Sequence, residues 1–168
     1  RNVFLQLGHG DSALIYVENH MYKSGNEING SLLYINILNK IGQKYEAYIA
    51  LKGLVKQYPN ALPIKIAFIE ASYALGKEDT AGMYFKRLIQ DVDVKIDVKV
   101  SIIANVMKEL SGSSSINNGW ELLLKWSQWN IKANPSEPQA YAIAADIAVQ
   151  QDRWLNARIL WKKAVGLP

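Results

Sequence analysis

The feature that most constrains this chain is a self-similarity at a constant offset of 34 residues. Gly8, Gly42 and Gly76 stand 34 apart. Each is followed five residues later by alanine (Ala13, Ala47, Ala81), then four on by a large apolar residue (Val17, Leu51, Phe85). Three further on come His20, Leu54 and Leu88. The pattern returns near the C-terminus as Asp152, Ala157, Trp161 and Ala164, with aspartate in the glycine slot. Ala81 to Ala157 and Pro59 to Pro135 each span 76 residues, two periods plus eight. Both landmarks imply one eight-residue insertion, and the Ser/Gly/Asn-rich stretch 111–119 has the composition to absorb it as a flexible loop. A period of this length is the mark of stacked supersecondary units, none of which can bury its apolar face alone.

Within a unit the apolar spacing is helical. Leu33, Ile37, Leu38 and Ile41 recur on one face of a 3.6-residue period, and Tyr45, Ile49, Leu51, Leu54 and Val55 continue it after Gly42. Pro59 and Pro63 flank one expected turn, Pro135 and Pro138 the next, and no proline interrupts a periodic stretch. Each unit therefore reads as helix, tight turn at the glycine, helix, and turn at the proline. The small alanine lets the paired helices approach closely, and the large residue after it fills the gap against a neighbour. The expected fold class is all-α, an α-solenoid of stacked antiparallel helix pairs. One segment, Asp91 to Val100, alternates polar and apolar residues as a half-buried strand would. The repeat phase instead puts a joint at Asp91–Asp93 and a helix start near Lys95, with Asp93 as N-cap. No second strand-like segment exists to pair with it, so helix is the expected state.

The period, the turn glycine, the small residue opening the second helix, the large residue four later and the closing proline together resemble the tetratricopeptide repeat family. The best copy is 138–167, with Tyr141, Ala145, Trp154, Ala157, Trp161 and Ala164 on the positions that the family gives to aromatic and small residues. Ile35, Ile69 and Ile103 depart from the small residue favoured in mid first helix, and Gly25 and Asp93 replace the closing proline. The resemblance divides one domain, 1–168, into a partial unit at 1–27, full units at 28–61, 62–95 and 96–137, and a last unit at 138–168. In that register Arg1 falls midway through a first helix, so the chain is expected to be a fragment of a longer protein. The degenerate units are similar to bacterial envelope arrays, which leans the expected compartment to the envelope or periplasm.

Composition and motifs exclude more than they suggest. Apolar residues make up 49% and charged residues 20%, a globular balance, and the net charge is +4. The longest apolar run, 140–145, has six residues and cannot span a membrane. With no cysteine there is no disulfide, zinc-thiolate or thiol chemistry. The two histidines, His9 and His20, are eleven apart, off any metal-ligand spacing on one helix face, and His20 takes a packing slot. Asp91, Asp93 and Asp97 lack the glycine and closing glutamate of a calcium loop. No phosphate-binding glycine loop is present, and the serines at 111, 113, 114 and 115 have no base nearby. No catalytic residue, metal ligand or cofactor is expected.

Recognition is the remaining function. All five tryptophans lie in the last 49 residues. Trp154 and Trp161 sit on packing positions and are expected in the core. Trp126 and Trp129, at i and i+3, either pack between the last two units or form an exposed patch for a partner. Lys125, Lys132, Arg153, Arg158, Lys162 and Lys163 are interleaved with Glu121, Glu137, Asp146 and Asp152, which disfavours nucleic acid, although an RNA-binding helical repeat is a third reading. The resemblance implies that first helices line a concave groove for an extended peptide or partner protein. The candidate groove residues are Asn36, Asn39, Lys40, Glu70, Tyr73, Met107, Lys108, Asp146 and Gln150. Leu32 and Ala67 stand where chaperone-tail receptors of the family carry clamp residues, which disfavours that subclass. The reading is therefore a protein-binding or scaffolding module, with self-association through exposed repeat ends as a further expectation. The alternative is a regulatory or accessory segment of a larger enzyme or envelope assembly.

Overall fold

Three turns share one hydrogen-bond pattern, and they explain where the helices stop. Gly42 N–H donates to Asn39 O at 3.2 Å and Gln43 N–H to Leu38 O at 2.8 Å. Gly76 and Lys77 repeat this onto Tyr73 O and Ser72 O, and Asp152 and Arg153 onto Val149 O and Ala148 O. This paired closure of a helix C-terminus needs a left-handed residue at its hinge. Gly42 has φ +84°, Gly76 +69° and Asp152 +57°. The aspartate in the glycine slot thus adopts the glycine's backbone, at a steric cost that glycine does not carry. Asp152→Gly is expected to stabilise the protein by about 1 kcal/mol and Gly76→Ala to destabilise it by about as much. Urea denaturation with unchanged slope checks both. A loss of stability in Asp152→Gly would show that the carboxylate offsets the strain.

The computed structural model describes Ile15 and residues 27–111 and 117–167. Among these it is all-α, with no strand. The helices are α1 (Glu27–Lys40), α2 (Lys44–Gln57), α3 (Leu62–Ala74), α4 (Glu78–Gln90), α5 (Ile96–Ser111), α6 (Asn117–Ala133), α7 (Pro138–Gln150) and α8 (Trp154–Val165). Odd-numbered helices are first helices of the 34-residue units and even-numbered ones are second helices. Readings that fall on Gly8, Ala13, Val17, His9, His20 and the first partial unit lie outside the described residues, Ile15 apart. Ala61 and Glu137 are extended N-cap residues of helices with proline in the first turn.

The backbone forms two compact units, Arg1–Lys77 and Glu78–Pro168. In the first, α2 packs on both α1 and α3. Ala47 and Leu51 are fully buried, and Tyr48 stacks on Phe68 with ring centroids 5.5 Å apart. The Lys77 ammonium lies 5.2 Å from the Tyr48 ring. Tyr58 donates its hydroxyl to Glu27, tying the end of α2 to the start of α1.

In the second unit, α4 packs on α6, α5 on α6 and α7, and α7 on both α6 and α8. Ala145, Ala148 and Ala157 form a small-residue seam that brings α7 and α8 together, sealed by Val149 and Leu160. Phe85 and Trp126, both wholly buried, stack at 4.4 Å between α4 and α6.

Two local expectations are corrected. Asp93 is not an N-cap. The Asp91 carboxylate accepts the Asp93 N–H at 3.0 Å, which prolongs the joint to Lys95 and starts α5 at Ile96. An aspartate two residues before an N–H closes its own turn more readily than a later one reaches into a helix. The 111–119 stretch is not all loop either. Ser111 ends α5, residues 117–119 begin α6, and 112–116 lie outside the described residues. These two helices have 16 and 17 residues against 12 to 14 elsewhere, so helix extension takes up part of the added length.

Candidate functional site

Each unit exposes a polar stripe on its first helices, opposite the apolar stripe that it buries. On α1 the inward residues include Ile35 and Leu38, which leaves Asn36, Asn39 and Lys40 exposed, one turn apart on one side. On α3, Glu70 and Tyr73 are half-buried, and each already makes an interaction within the protein. The first unit thus offers two amides and an ammonium to solvent on α1.

In the second unit α5 lies against α7, which brings two candidate stripes onto neighbouring helices. Met107 is half-buried and Lys108 exposed on α5, while Asp146 and Gln150, one turn apart, are exposed on α7. Asp146 is also engaged: the Trp161 side chain hydrogen-bonds to it, which favours its charged form. Although the residue as a whole is exposed, partial desolvation of its carboxyl outweighs that bond and holds the pKa above the usual aspartate value. The set provides an adaptable thioether, a cation, an anion and an amide. Those groups suit a peptide's side chains and backbone. They contain no nucleophile–base pair.

The tryptophans divide differently from the expectation. Trp126 is 0% exposed and belongs to the core, outside any surface patch. Trp129 is half-buried, with the ammoniums of Lys86 and Lys125 at 5.3 and 5.1 Å from its ring centroid. Trp154 and Trp161, expected in the core, are 61% and 42% exposed. Trp161 occupies the slot of the wholly buried Leu51 and Phe85. Phe85 is covered by the next second helix, through Trp126, and no described helix follows α8 to cover Trp161 in the same way.

A buried polar cluster was missed in the sequence. Lys99 is only 3% exposed, and its ammonium donates to Asn134 Oδ1 at 3.0 Å. Asn134 Nδ2 donates to the backbone oxygen of Asn130 at 3.1 Å and to its side-chain oxygen at 2.9 Å. A longer contact of 3.4 Å reaches Ile89 O at the end of α4. Burial holds the Lys99 pKa below the ordinary lysine value, with the Asp91 and Glu137 carboxylates acting in the other direction. The phase of α5 contains the signal: Lys99 shares a helix face with Ile102, Ile103, Val106 and Leu110, all buried.

Among the described residues, no three His, Cys, Asp or Glu side chains converge as a metal site would require. No described helix is long and apolar enough to cross a membrane.

No protein-family model matches the chain, and no curated protein matches it in sequence. Solved structures are similar in fold. A crystal structure of MamA, a tetratricopeptide-repeat protein, aligns with a TM-score of 0.57 and 15% identity, covering 96% of this chain and 90% of that one. The MamA 41-end structure from Desulfovibrio magneticus RS-1 aligns with a TM-score of 0.55 and 13% identity, covering 98% and 88%. A MamA RS-1 double mutant gives 0.55 and 12%, covering 96% and 86%. At such identities the likeness is one of fold. The fold class is the all-α solenoid of paired helices.

Proposed function

We propose that this chain is a protein-interaction module of the tetratricopeptide repeat type, which binds an extended protein segment along the exposed faces of its first helices. The observation that carries this reading is the packing of α5 on α7, two first helices of one unit, with Lys108 exposed on the one and Asp146 and Gln150 exposed on the other. An extended peptide has backbone donors and acceptors that Gln150 can meet, carboxylates or carbonyls for Lys108, and side chains that Met107 can adapt to. Asn36, Asn39 and Lys40 give the first unit a stripe of similar chemistry. The fold likeness to MamA supports the stacked helix pairs on which this reading rests.

The test is selection of peptide ligands for the purified chain from a random twelve-residue library. The double substitution Lys108→Glu with Gln150→Ala is expected to weaken the selected peptides by about ten-fold or more, with thermal stability unchanged. Equal affinity in parent and variant would sink the first-helix assignment.

A further inference from the structure

The second helices of the Glu78–Pro168 unit carry a surface that the first-helix reading leaves unused. Where α4 and α6 pack, Trp129 lies half-buried over the seam, beside the point where a Cβ on Gly82 would come within 3.8 Å of its ring. Lys86 reaches the ring from α4 and Lys125 reaches it from α6. Both ammoniums are within 5.3 Å of one centroid, so they stand at most about 10 Å apart. The electron-rich ring attracts each cation, so two ammoniums gather around one indole.

The surrounding charge is mainly basic. From Met83 to Gln90, α4 carries Lys86 and Arg87 and no acidic residue; α6 carries Lys125 and Lys132 with one exposed carboxylate, Glu121, one turn before Lys125. All four cations are exposed, and so is Met83, one turn before Lys86 on the same side of α4. None of the four forms an ion pair within the described residues.

We propose that this second-helix face, centred on Trp129 between Lys86 and Lys125, is a docking surface for an acidic segment of a partner protein. A carboxylate beside the ring would accept from the Lys86 or the Lys125 ammonium. Arg87 and Lys132 extend the field along both helices, and Met83 supplies an apolar contact beside it. A single-stranded nucleic acid would use the cations but also needs an open aromatic face for base stacking. Here the two ammoniums occupy the ring, which favours the acidic polypeptide.

The experiment measures fluorescence anisotropy of a labelled (Glu-Asp-Leu)4 peptide with the purified 168-residue chain. Its amide counterpart (Gln-Asn-Leu)4 and a twelve-nucleotide oligouridine are the comparison probes. The acidic peptide is expected to bind at least about ten-fold more tightly than either. Lys86→Gln with Lys125→Gln is expected to weaken it by about ten-fold. Lys52→Gln with Lys56→Gln, which removes the same charge from exposed positions on α2, is expected to change it less than about two-fold. Equal weakening by the two pairs would show attraction to net charge alone and overturn the proposal. Tighter binding of the oligouridine, or no preference for the acidic peptide over its amide form, would also overturn it.

Discussion

Replacing Trp126 with alanine is expected to lower stability by about 3–5 kcal/mol, the largest loss from any single change considered. The indole is 0% exposed and stacked on Phe85 at 4.4 Å, with an interplanar angle of 14°. Its removal would take away apolar burial and the stacking contact, and leave a void between α4 and α6 too rigidly bounded to collapse fully. Trp161→Ala is the matched control. It deletes the same side chain from a position 42% exposed, so a distinctly smaller loss is expected. Urea denaturation of both variants, followed by circular dichroism, separates the two cases. Similar losses would contradict the division between a core and a surface tryptophan.

The second large effect concerns the buried lysine. Asn134→Leu removes the acceptor of the Lys99 ammonium and the donor to Asn130 while keeping the branched, four-heavy-atom outline of the side chain. The expected cost at pH 7 is about 2–3 kcal/mol, typical of depriving a buried charged group of its hydrogen bond. The pH dependence follows from the lowered Lys99 pKa, whose main cause is burial. In the folded chain the proton leaves at lower pH than in the unfolded chain. Between those two values the unfolded state holds more protons, so the contribution of Lys99 to stability rises with pH. Below the folded value, its desolvation is a constant cost. Asn134→Leu lowers the folded value further, so the gap between parent and variant is expected to narrow as pH rises from 7 towards the ordinary lysine value. Adding Lys99→Met to Asn134→Leu is expected to recover part of the loss at pH 7, because an apolar side chain needs no acceptor. If the double variant were no more stable than Asn134→Leu, the uncompensated charge would not be the cause.

These two cases show what could be read from the residues alone. The turns were legible because a left-handed hinge restricts the residue type: Gly42, Gly76 and Asp152 kept the period even where aspartate replaced glycine. Ala47, Ala81 and Ala157 were legible for a similar reason, since close helix approach restricts the position to a small side chain, and all three are fully buried. Trp126 and Trp161 were less legible, because periodicity assigns a face and says nothing of whether another helix covers it. Lys99 was hidden by the alternation of Asp91 to Val100, which drew attention to strand against helix rather than to the face on which the lysine would fall. Asp93 was misplaced because its backbone N–H is drawn into a turn closed by Asp91, and the helix starts only at Ile96. For the candidate site, the sequence could place residues on helix faces, and the structure adds the neighbouring of α5 and α7.

The first helices are expected to carry the partner-binding face. A photo-reactive amino acid introduced at Asn36, Lys108 or Gln150 tests this most directly, with exposed Lys56 on α2 and Arg158 on α8 as second-helix positions. After irradiation with a peptide selected on the parent chain, adducts are expected at the first-helix positions and not at Lys56 or Arg158. Adducts confined to the second-helix positions, or spread evenly over all five, would contradict the claim.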